Sequence, residues 1–239
     1  MGYDWQWSVF LKPAVDGSGN YAQYILSGLY LTVLTAVLAL VVATVLGTLI
    51  GIGRTLPNKC IAGMARVYVE VFRNIPLLVQ LFLWYFVLPE LLPAKLGSWL
   101  KTMPEGSFVT AFLGLGYYSA ARIAEQMRAG IRALPNGQTR ASLALGMTLA
   151  QTYRYVLIPR VYIAMVPTLT TEVLALMKNS SVALTIGLAE LTSQARSMQE
   201  YTFHVFEAFA AATFLYFALN VVVVQISRWI ERKTNILVR

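Results

Sequence analysis

The chain is 239 residues long, and 57% of its residues are hydrophobic while only 13% are charged. Together with a mean hydropathy of +0.61, this composition is typical of an integral membrane protein with room for about five or six helical spans. The net charge of +8 does not indicate nucleic-acid binding, because the basic residues concentrate in alternate gaps between apolar segments. The single cysteine, Cys60, excludes an internal disulfide and a cysteine-based metal site.

Five apolar segments predict about five membrane-spanning helices and therefore an all-α integral membrane protein. They cover residues 24–53, 67–92, 108–134, 161–183 and 203–229. Most lysines and arginines follow the first, third and fifth segments, so we expect the N-terminus outside the cytoplasm and the C-terminus inside it. The predicted organisation is an outer segment, 1–23, one membrane domain, 24–231, with a cytoplasmic loop at about 135–160, and a cytoplasmic tail, 232–239.

Several local features predict departures from straight, uniform helices. Pro76 lacks the backbone N–H that a helix interior needs, so the second span should kink there. The polar run 179–181 should end the fourth span, and the apolar residues 182–191 after it are too few to cross alone, which favours a short re-entrant piece. Gly47 and Gly51, four residues apart in the first span, predict close packing against another helix.

Charged side chains inside spans are costly, so each one marks a candidate functional site. Arg122 should lie about 21 Å along the third span, at about 1.5 Å per residue, and still within the hydrocarbon depth. Its guanidinium would suit an anionic group such as a carboxylate. Glu125 can neutralise only one of its neighbours Arg122 and Arg128, which predicts a surplus positive charge. The alternative is a structural Arg122–Glu125 pair with Arg128 at the inner surface.

Two other spans contribute candidate residues. Arg73, followed by Asn74, either serves a transport path, pairs with the glutamate one turn before it, or reaches the inner surface. In the fourth span, Thr171 and Glu172 belong to a polar stripe that either lines a path or packs through hydrogen bonds. Lys178, just before the polar run that should end this span, is the third basic candidate.

No pattern indicates an enzyme. His204 is the only histidine, and the sequence contains no metal-ligand cluster, nucleophile elbow or phosphate-binding glycine loop. We therefore expect no catalytic or metal-binding residue, no cofactor, and no binding of ATP by this chain itself.

The loop 137–159 combines a helical pattern, a central glycine and a closing proline. It resembles the cytoplasmic signature of the permease subunits of ATP-binding-cassette (ABC) importers, in which Glu-Ala-Ala is followed at fixed intervals by a glycine and by Leu-Pro. Ala141, Gly146 and Pro159 match that pattern at the right intervals. Arg140 stands in place of the signature glutamate, and Ser142 in place of the second alanine.

Three further stretches extend the resemblance over nearly the whole chain. Residues 70–80, 123–131 and 178–181 look like the corresponding stretches of the polar amino acid permeases of the HisMQ-like family. The amino-acid sequence of residues 72–76 and the arginine at position 122 look most similar to those of the permease subunits of glutamate/aspartate importers.

The resemblance implies a division of labour among several proteins in a bacterial inner membrane. A periplasmic amino-acid-binding protein delivers substrate to the outer face, where residues 1–23 lie, and this chain with a second, homologous or identical permease forms the path through the membrane lipid. A pair of ABC ATPase subunits binds below. The resemblance assigns the ATPase-coupling role to residues of the cytoplasmic loop, namely Arg140, Ala141, Ser142, Gly146, Tyr153 and Pro159.

The same resemblance implies roles in substrate binding. Arg122 is expected to meet the side-chain carboxylate of an acidic amino acid, whereas Arg73 and Lys178 line the path, hold the helix breaks or meet the common α-carboxylate. The remaining candidates along the path are Asn74, Thr171 and Glu172. Two alternatives stay open, which are a permease for another polar amino acid such as glutamine and a self-contained secondary transporter.

Overall fold

The computed structural model describes residues 3–17 and 19–235, which are almost entirely helical. The long helices are α1 (Tyr21–Gly53), α2 (Lys59–Asn74), α6 (Gly106–Ala133), α9 (Ile158–Asn179) and α11 (Val205–Asn235). The short helices are α3 (Leu77–Phe82), α4 (Leu88–Leu91), α5 (Ala94–Thr102), α7 (Asn136–Ala144), α8 (Leu149–Thr152) and α10 (Leu191–Thr202). Two π-helical turns, Leu83–Val87 and Tyr153–Leu157, and 3₁₀ turns at Trp7–Leu11 and Ser180–Ile186 complete the described secondary structure.

Three stretches of the described residues are long and apolar enough to cross a membrane. They are Tyr21–Gly53, Leu149–Ile186 and Val205–Lys233. The helices on either side of Pro76 add a fourth span if they are counted together. Helix α6 corresponds to the third expected span. Its 28 residues give about 42 Å at 1.5 Å per residue, but it is not among the stretches that are apolar enough to cross a membrane by composition. The all-helical membrane architecture is confirmed, and the count of five spans stays a prediction.

The expected helix breaks are present. Helix α2 ends at Asn74, and the next residue, Ile75, is extended, with φ −93° and ψ 128°. Pro76 follows it, and α3 begins at Leu77. The fourth span likewise ends as α-helix at Asn179 and continues as the 3₁₀ turn Ser180–Ile186. Helix α11 runs on to Asn235, so 232–235 continue a helix, and residues 236–239 of the expected tail lie outside the described residues.

The chain folds into two compact units, and the bounds of the membrane domain and of its flanking segments stay a prediction. Unit 1 comprises Met1–Ala39, Leu77–Leu115 and Leu174–Val222. Unit 2 comprises Leu40–Pro76, Gly116–Val173 and Val223–Arg239.

Helix α10 of unit 1 was missed by the sequence analysis, which had placed a re-entrant piece before it and no helix after it. Its apolar residues Leu191, Ala195 and Met198 are fully buried against residues of α1 and α11. Their spacing of four and then three residues is an amphipathic helical pattern, and the preceding Glu190 is a cap whose carboxylate accepts the N–H groups of Thr192 and Ser193. These two signals together would have predicted the helix.

In unit 2, α1 packs against α6 through glycines, as predicted. A Cβ atom at Gly47 would lie 2.7 Å from the side chain of Ile123, and one at Gly51 would lie 2.6 Å from that of Met127. Ile123 and Met127 are fully buried in a cluster with Val161. The two glycines therefore let the helix backbones approach closely, which places the charged face of α6 at a defined position.

Candidate functional site

The main candidate site is an ion pair in unit 2 between α6 and α9. Nη2 of Arg122 lies 2.8 Å from Oε2 of Glu172, and the side chain of Glu172 is only 7% exposed while that of Arg122 is 32% exposed. Arg122 is flanked by the fully buried Ala121 and Ile123, so its helix is held by packing, and Nε and Nη2 of its own head group are buried. A partly exposed arginine side chain beside a buried carboxylate is the central geometric feature of the site.

Two neighbours on α6 hold the members of this pair. Nε2 of Gln126 donates a hydrogen bond to Oε1 of Glu172 at 3.0 Å. The guanidinium carbon of Arg122 lies 5.2 Å from the ring centroid of Tyr118, which is a cation–π distance. Tyr118, Arg122 and Gln126 are spaced four residues apart and so share one helix face. Sequence analysis missed Tyr118 and Gln126, although this spacing around Arg122 was available as a signal.

The Arg122–Glu172 contact is close but is not a directional hydrogen bond. Within the described part of the chain, buried Nε and Nη2 of Arg122 and Oε2 of Glu172 have no hydrogen-bond partner of acceptable geometry. Arginine binds a carboxylate best through two parallel N–H groups. The guanidinium therefore keeps donor capacity that this one-point contact leaves unused.

Glu125 belongs to a separate cluster of unit 2, so the alternative of a structural Arg122–Glu125 pair is not what the structure shows. Its carboxylate pairs with Arg54, the residue after α1, and with Arg128, whose Nε donates at 3.0 Å. The expectation of a surplus positive charge at Arg122 was wrong, because Glu172 neutralises it. The surplus lies in this cluster instead, where two arginines share one glutamate.

The other expected path residues of unit 2 are exposed. Arg73 and Asn74 lie in the last turn of α2, and across residues 3–17 and 19–235 neither forms an ion pair or hydrogen bond with Arg122. The alternative in which Arg73 pairs with Glu70, one turn before it, is likewise not found in those ranges. Thr171 is exposed next to Glu172 and donates its hydroxyl to the carbonyl of Thr168 at 2.6 Å.

Lys178 belongs to unit 1, where it occupies the last turn of α9 and is exposed. The serines after it explain why the α-helix ends there. The hydroxyl of Ser181 donates to the carbonyl of Lys178 at 2.6 Å, and that of Ser180 donates to the carbonyl of Met177 at 2.8 Å. Side-chain donors of this kind compete with the backbone ladder and favour a change to 3₁₀ geometry.

The loop that carries the signature-like pattern forms two helices joined at a glycine, as expected. Helix α7 ends at Ala144, Gly146 adopts φ +82°, and α8 begins at Leu149 after a Thr148–Gln151 capping box. A positive φ suits glycine because other residues have a clashing Cβ there. Arg140, Ala141 and Pro159 are all exposed.

An exposed apolar surface surrounds this glycine turn. Leu145 is 84% exposed, Leu143 is 46% exposed and Leu149 is 38% exposed. Two other expected coupling residues are used inside unit 2 instead. Ser142 is buried and donates to the carbonyl of Gln138, and the half-buried Tyr153 lies 3.0 Å from the hydroxyl of Thr55. The large apolar side chains that are exposed next to the glycine turn are therefore those of the three leucines.

Long apolar helices, a charged pair between two of them and an exposed two-helix turn together describe a membrane subunit of a multi-component transport system. The chain matches the family model for the binding-protein-dependent transport system inner membrane component over residues 43–236. It therefore belongs to this family and is a multi-pass inner-membrane protein.

Two curated relatives match almost end to end. The chain is 43% identical to the glutamate/aspartate import permease protein GltJ of Escherichia coli (strain K12), over 99% of this chain and 97% of the relative. It is 30% identical to the glutamate/aspartate import permease protein GltK of Escherichia coli O6:H1, over 97% of this chain and 99% of that relative.

A solved structure supports the same fold. The chain superposes on a chain from the crystal structure of an amino acid ABC transporter with histidines, with a TM-score of 0.75 and 32% identity. The match covers 89% of this chain and 95% of the other.

Proposed function

We propose that this chain is a permease subunit of an ABC importer for glutamate and aspartate. The observation that carries the proposal is the 43% identity with a glutamate/aspartate import permease over 99% of the chain, combined with a partly exposed arginine inside a long helix. An acidic amino acid carries one more carboxylate than other substrates, and a guanidinium is the side chain best suited to bind it.

In this proposal, Arg122 binds the side-chain carboxylate of the substrate. Arg73 and Lys178 are both exposed, and each of them lines the path, holds a helix break or meets the α-carboxylate that all amino acids share. Asn74 and Thr171 add polar groups to the path. Two opposite charges attract each other more strongly in a low-dielectric region than in water. Loss of Arg122 should therefore weaken substrate binding far more than loss of Arg132, an exposed arginine in the last turn of the same helix.

The exposed apolar turn around Gly146 is proposed to dock on a separate ATPase. Leu143, Leu145 and Leu149 would fill a cleft there, and Arg140 would supply a charged contact beside them. Closure of the ATPase pair would move this lever and shift the membrane helices between inward-facing and outward-facing states. The remaining partners are a second, related permease and a periplasmic binding protein.

The proposed topology follows from the distribution of charge. The segment 135–160 and the residues after 231 would face the cytoplasm, and residues before 24 would face the periplasm. This arrangement places the basic gaps on the cytoplasmic side.

The test is transport by the complete complex in liposomes that contain the ATPase and the partner permease, with the binding protein added outside. ATP-dependent glutamate uptake is expected, and Arg122→Ala should abolish it while the subunits still assemble. Arg132→Ala is the matched control, because Arg132 is an exposed arginine in the last turn of the same helix. Normal glutamate uptake by Arg122→Ala would remove Arg122 from the site. Uptake of glutamine instead of glutamate, or uptake driven by an ion gradient without the ATPase, would reject the proposed function.

A further inference from the structure

We infer that Glu172 is an exchangeable counter-ion for Arg122, which neutralises the guanidinium while the path is empty and is displaced by the carboxylate of the substrate. The inference rests on the proposed function, because it takes Arg122 as the residue that binds the acidic side chain. It adds a role for Glu172 that differs from direct binding of substrate.

Charge is the first argument. A lone arginine in the membrane interior is costly, and Glu172, which is 7% exposed and 2.8 Å away, offsets that cost. The same contact means that an approaching anion meets a neutral pair and not a free cation. Strong binding of a carboxylate to Arg122 therefore requires Glu172 to give up its contact.

Geometry makes that exchange favourable. The contact with Glu172 involves only Nη2 of the guanidinium, and in the described residues the buried Nε and Nη2 of Arg122 have no hydrogen-bond partner of acceptable geometry. A carboxylate that takes the place of Glu172 at these two nitrogens can present both of its oxygens and form two parallel charge-assisted hydrogen bonds. The substrate thus offers Arg122 a better partner than the one it has.

The neighbours of Arg122 and Glu172 would hold both side chains in place when the contact between them breaks. Gln126 holds Oε1 of Glu172 through a 3.0 Å hydrogen bond, and Tyr118 holds the Arg122 guanidinium at 5.2 Å from its ring. Glu172 therefore keeps its contact with Gln126, and Arg122 keeps its contact with Tyr118, when the two charged groups separate.

The displaced Glu172 also provides a restoring force. A buried carboxylate without its partner is unfavourable, so Glu172 competes to recover Arg122 and thereby promotes release of the substrate. The pair should make binding in the path weaker and turnover faster than Arg122 alone would allow.

The experiment measures both quantities on the complete complex. Binding of radiolabelled glutamate is measured by equilibrium dialysis of the purified complex without the binding protein, and turnover is measured as ATP-dependent uptake in liposomes. Glu172→Gln keeps the shape and an acceptor for Gln126 but removes the competing charge. Glu231→Gln is the control, because it makes the same change in α11, where Glu231 accepts a hydrogen bond from Ser227.

Glu172→Gln should bind glutamate about tenfold more tightly than the unmodified complex, in the range typical of coupling between two ligands of one site, and its maximal uptake rate should fall. Glu172→Asp, which retracts the carboxylate by one bond of about 1.5 Å, should show a smaller change in the same direction and serves if the first variant does not assemble. Glu231→Gln should change neither quantity.

Weaker or unchanged binding by both Glu172 variants would overturn the counter-ion role. That failure is distinct from failure of the proposed function. If Arg122→Ala abolishes uptake while the Glu172 variants bind no more tightly, only the exchange is rejected. If Arg122→Ala transports normally, both proposals are rejected.

Discussion

The hydroxyl of Tyr153 lies 3.0 Å from the hydroxyl of Thr55 and donates to the carbonyl of Thr55 at 3.3 Å. Thr55 follows the end of α1, and Tyr153 is the first residue after α8, so these contacts join a long helix to the exposed two-helix turn. Both residues belong to unit 2. A rigid contact at this point would let a displacement of the two-helix turn by the ATPase be transmitted to the membrane helices.

Replacement of Tyr153 by phenylalanine should loosen this connection. The change removes the hydroxyl and with it about 0.5–1.5 kcal/mol of net hydrogen-bond stabilisation. We expect the apparent melting temperature of the complex to fall by a few degrees and the ratio of glutamate transported to ATP hydrolysed to decrease. Tyr155→Phe is the control, because Tyr155 is 61% exposed. Equal effects of the two changes would contradict a specific role for the Tyr153–Thr55 contact.

Glycine at position 47 should be essential for packing. A Cβ there would meet the side chain of Ile123 at 2.7 Å and the carbonyl of Ala120 at 2.9 Å, so Gly47→Ala should destabilise the protein by about 1–3 kcal/mol. Gly63→Ala is the matched control, because Gly63 also lies in a helix but has no atom within 4 Å of an added Cβ. That change should be neutral or stabilise by up to about 1 kcal/mol. Thermal unfolding of both variants in detergent tests this difference, and equal melting temperatures would count against it.

Leu145 should contribute to association with the ATPase without contributing to the stability of the chain. It is 84% exposed, and burying a leucine side chain in an interface is worth about 1.5–3 kcal/mol. Leu145→Ser should therefore weaken ATPase binding by about tenfold or more while the melting temperature of the isolated chain stays the same.

The control for this interface is Val15→Ser, since Val15 is 57% exposed in the N-terminal segment. Retention of the ATPase during affinity purification, titrated with added ATPase, measures the effect. Undiminished binding by Leu145→Ser would show that the ATPase docks elsewhere.

Glu190 should be important for the stability of α10. It is fully buried, and its carboxylate accepts the N–H of Ser193 at 2.8 Å, the N–H of Thr192 at 3.0 Å and the hydroxyl of Tyr216 at 2.8 Å. Glu190→Ala removes a helix cap and leaves the N–H groups of Thr192 and Ser193 without this acceptor, whereas the hydroxyl of Tyr216 keeps that of Thr192 at 3.1 Å; the change should cost about 1–3 kcal/mol.

Glu200→Ala provides the comparison for that cap, because Glu200 is exposed and pairs only with Arg196 across one helical turn. A surface pair of this kind contributes at most about 1 kcal/mol. Protease resistance of the region around α10 and the melting temperature should both fall in the Glu190 variant and hold in the Glu200 variant. A smaller loss at Glu190 than at Glu200 would refute the capping role.

Local patterns predicted much of the fold. Proline chemistry predicted the break at Pro76, small-residue spacing predicted close packing of α1 at Gly47 without naming its partner, and the glycine-centred pattern predicted the turn at Gly146. Helix α10 was also encoded locally, by the cap at Glu190 and the apolar spacing after it, but a long apolar segment before it drew the prediction toward a re-entrant piece.

The candidate site was predicted only in part. The sequence indicated that Arg122 lies within a span and that a carboxylate is its natural partner. It did not indicate which carboxylate, and the nearest one along the helix, Glu125, was the natural choice. In the structure Glu125 forms ion pairs with Arg54 and Arg128, and Arg122 pairs with Glu172 of α9.

The sequence by itself therefore determined the class of protein, the long helices and most of their breaks, because hydrophobicity, proline and glycine act within a few residues of themselves. Only the tertiary structure decided the pairing of charges between helices. That pairing depends on which faces of distant helices meet and at what distance, and Coulomb energies in a membrane change steeply over a few ångströms. The neutralised state of Arg122 is a consequence of this packing and could not be read from the order of the residues.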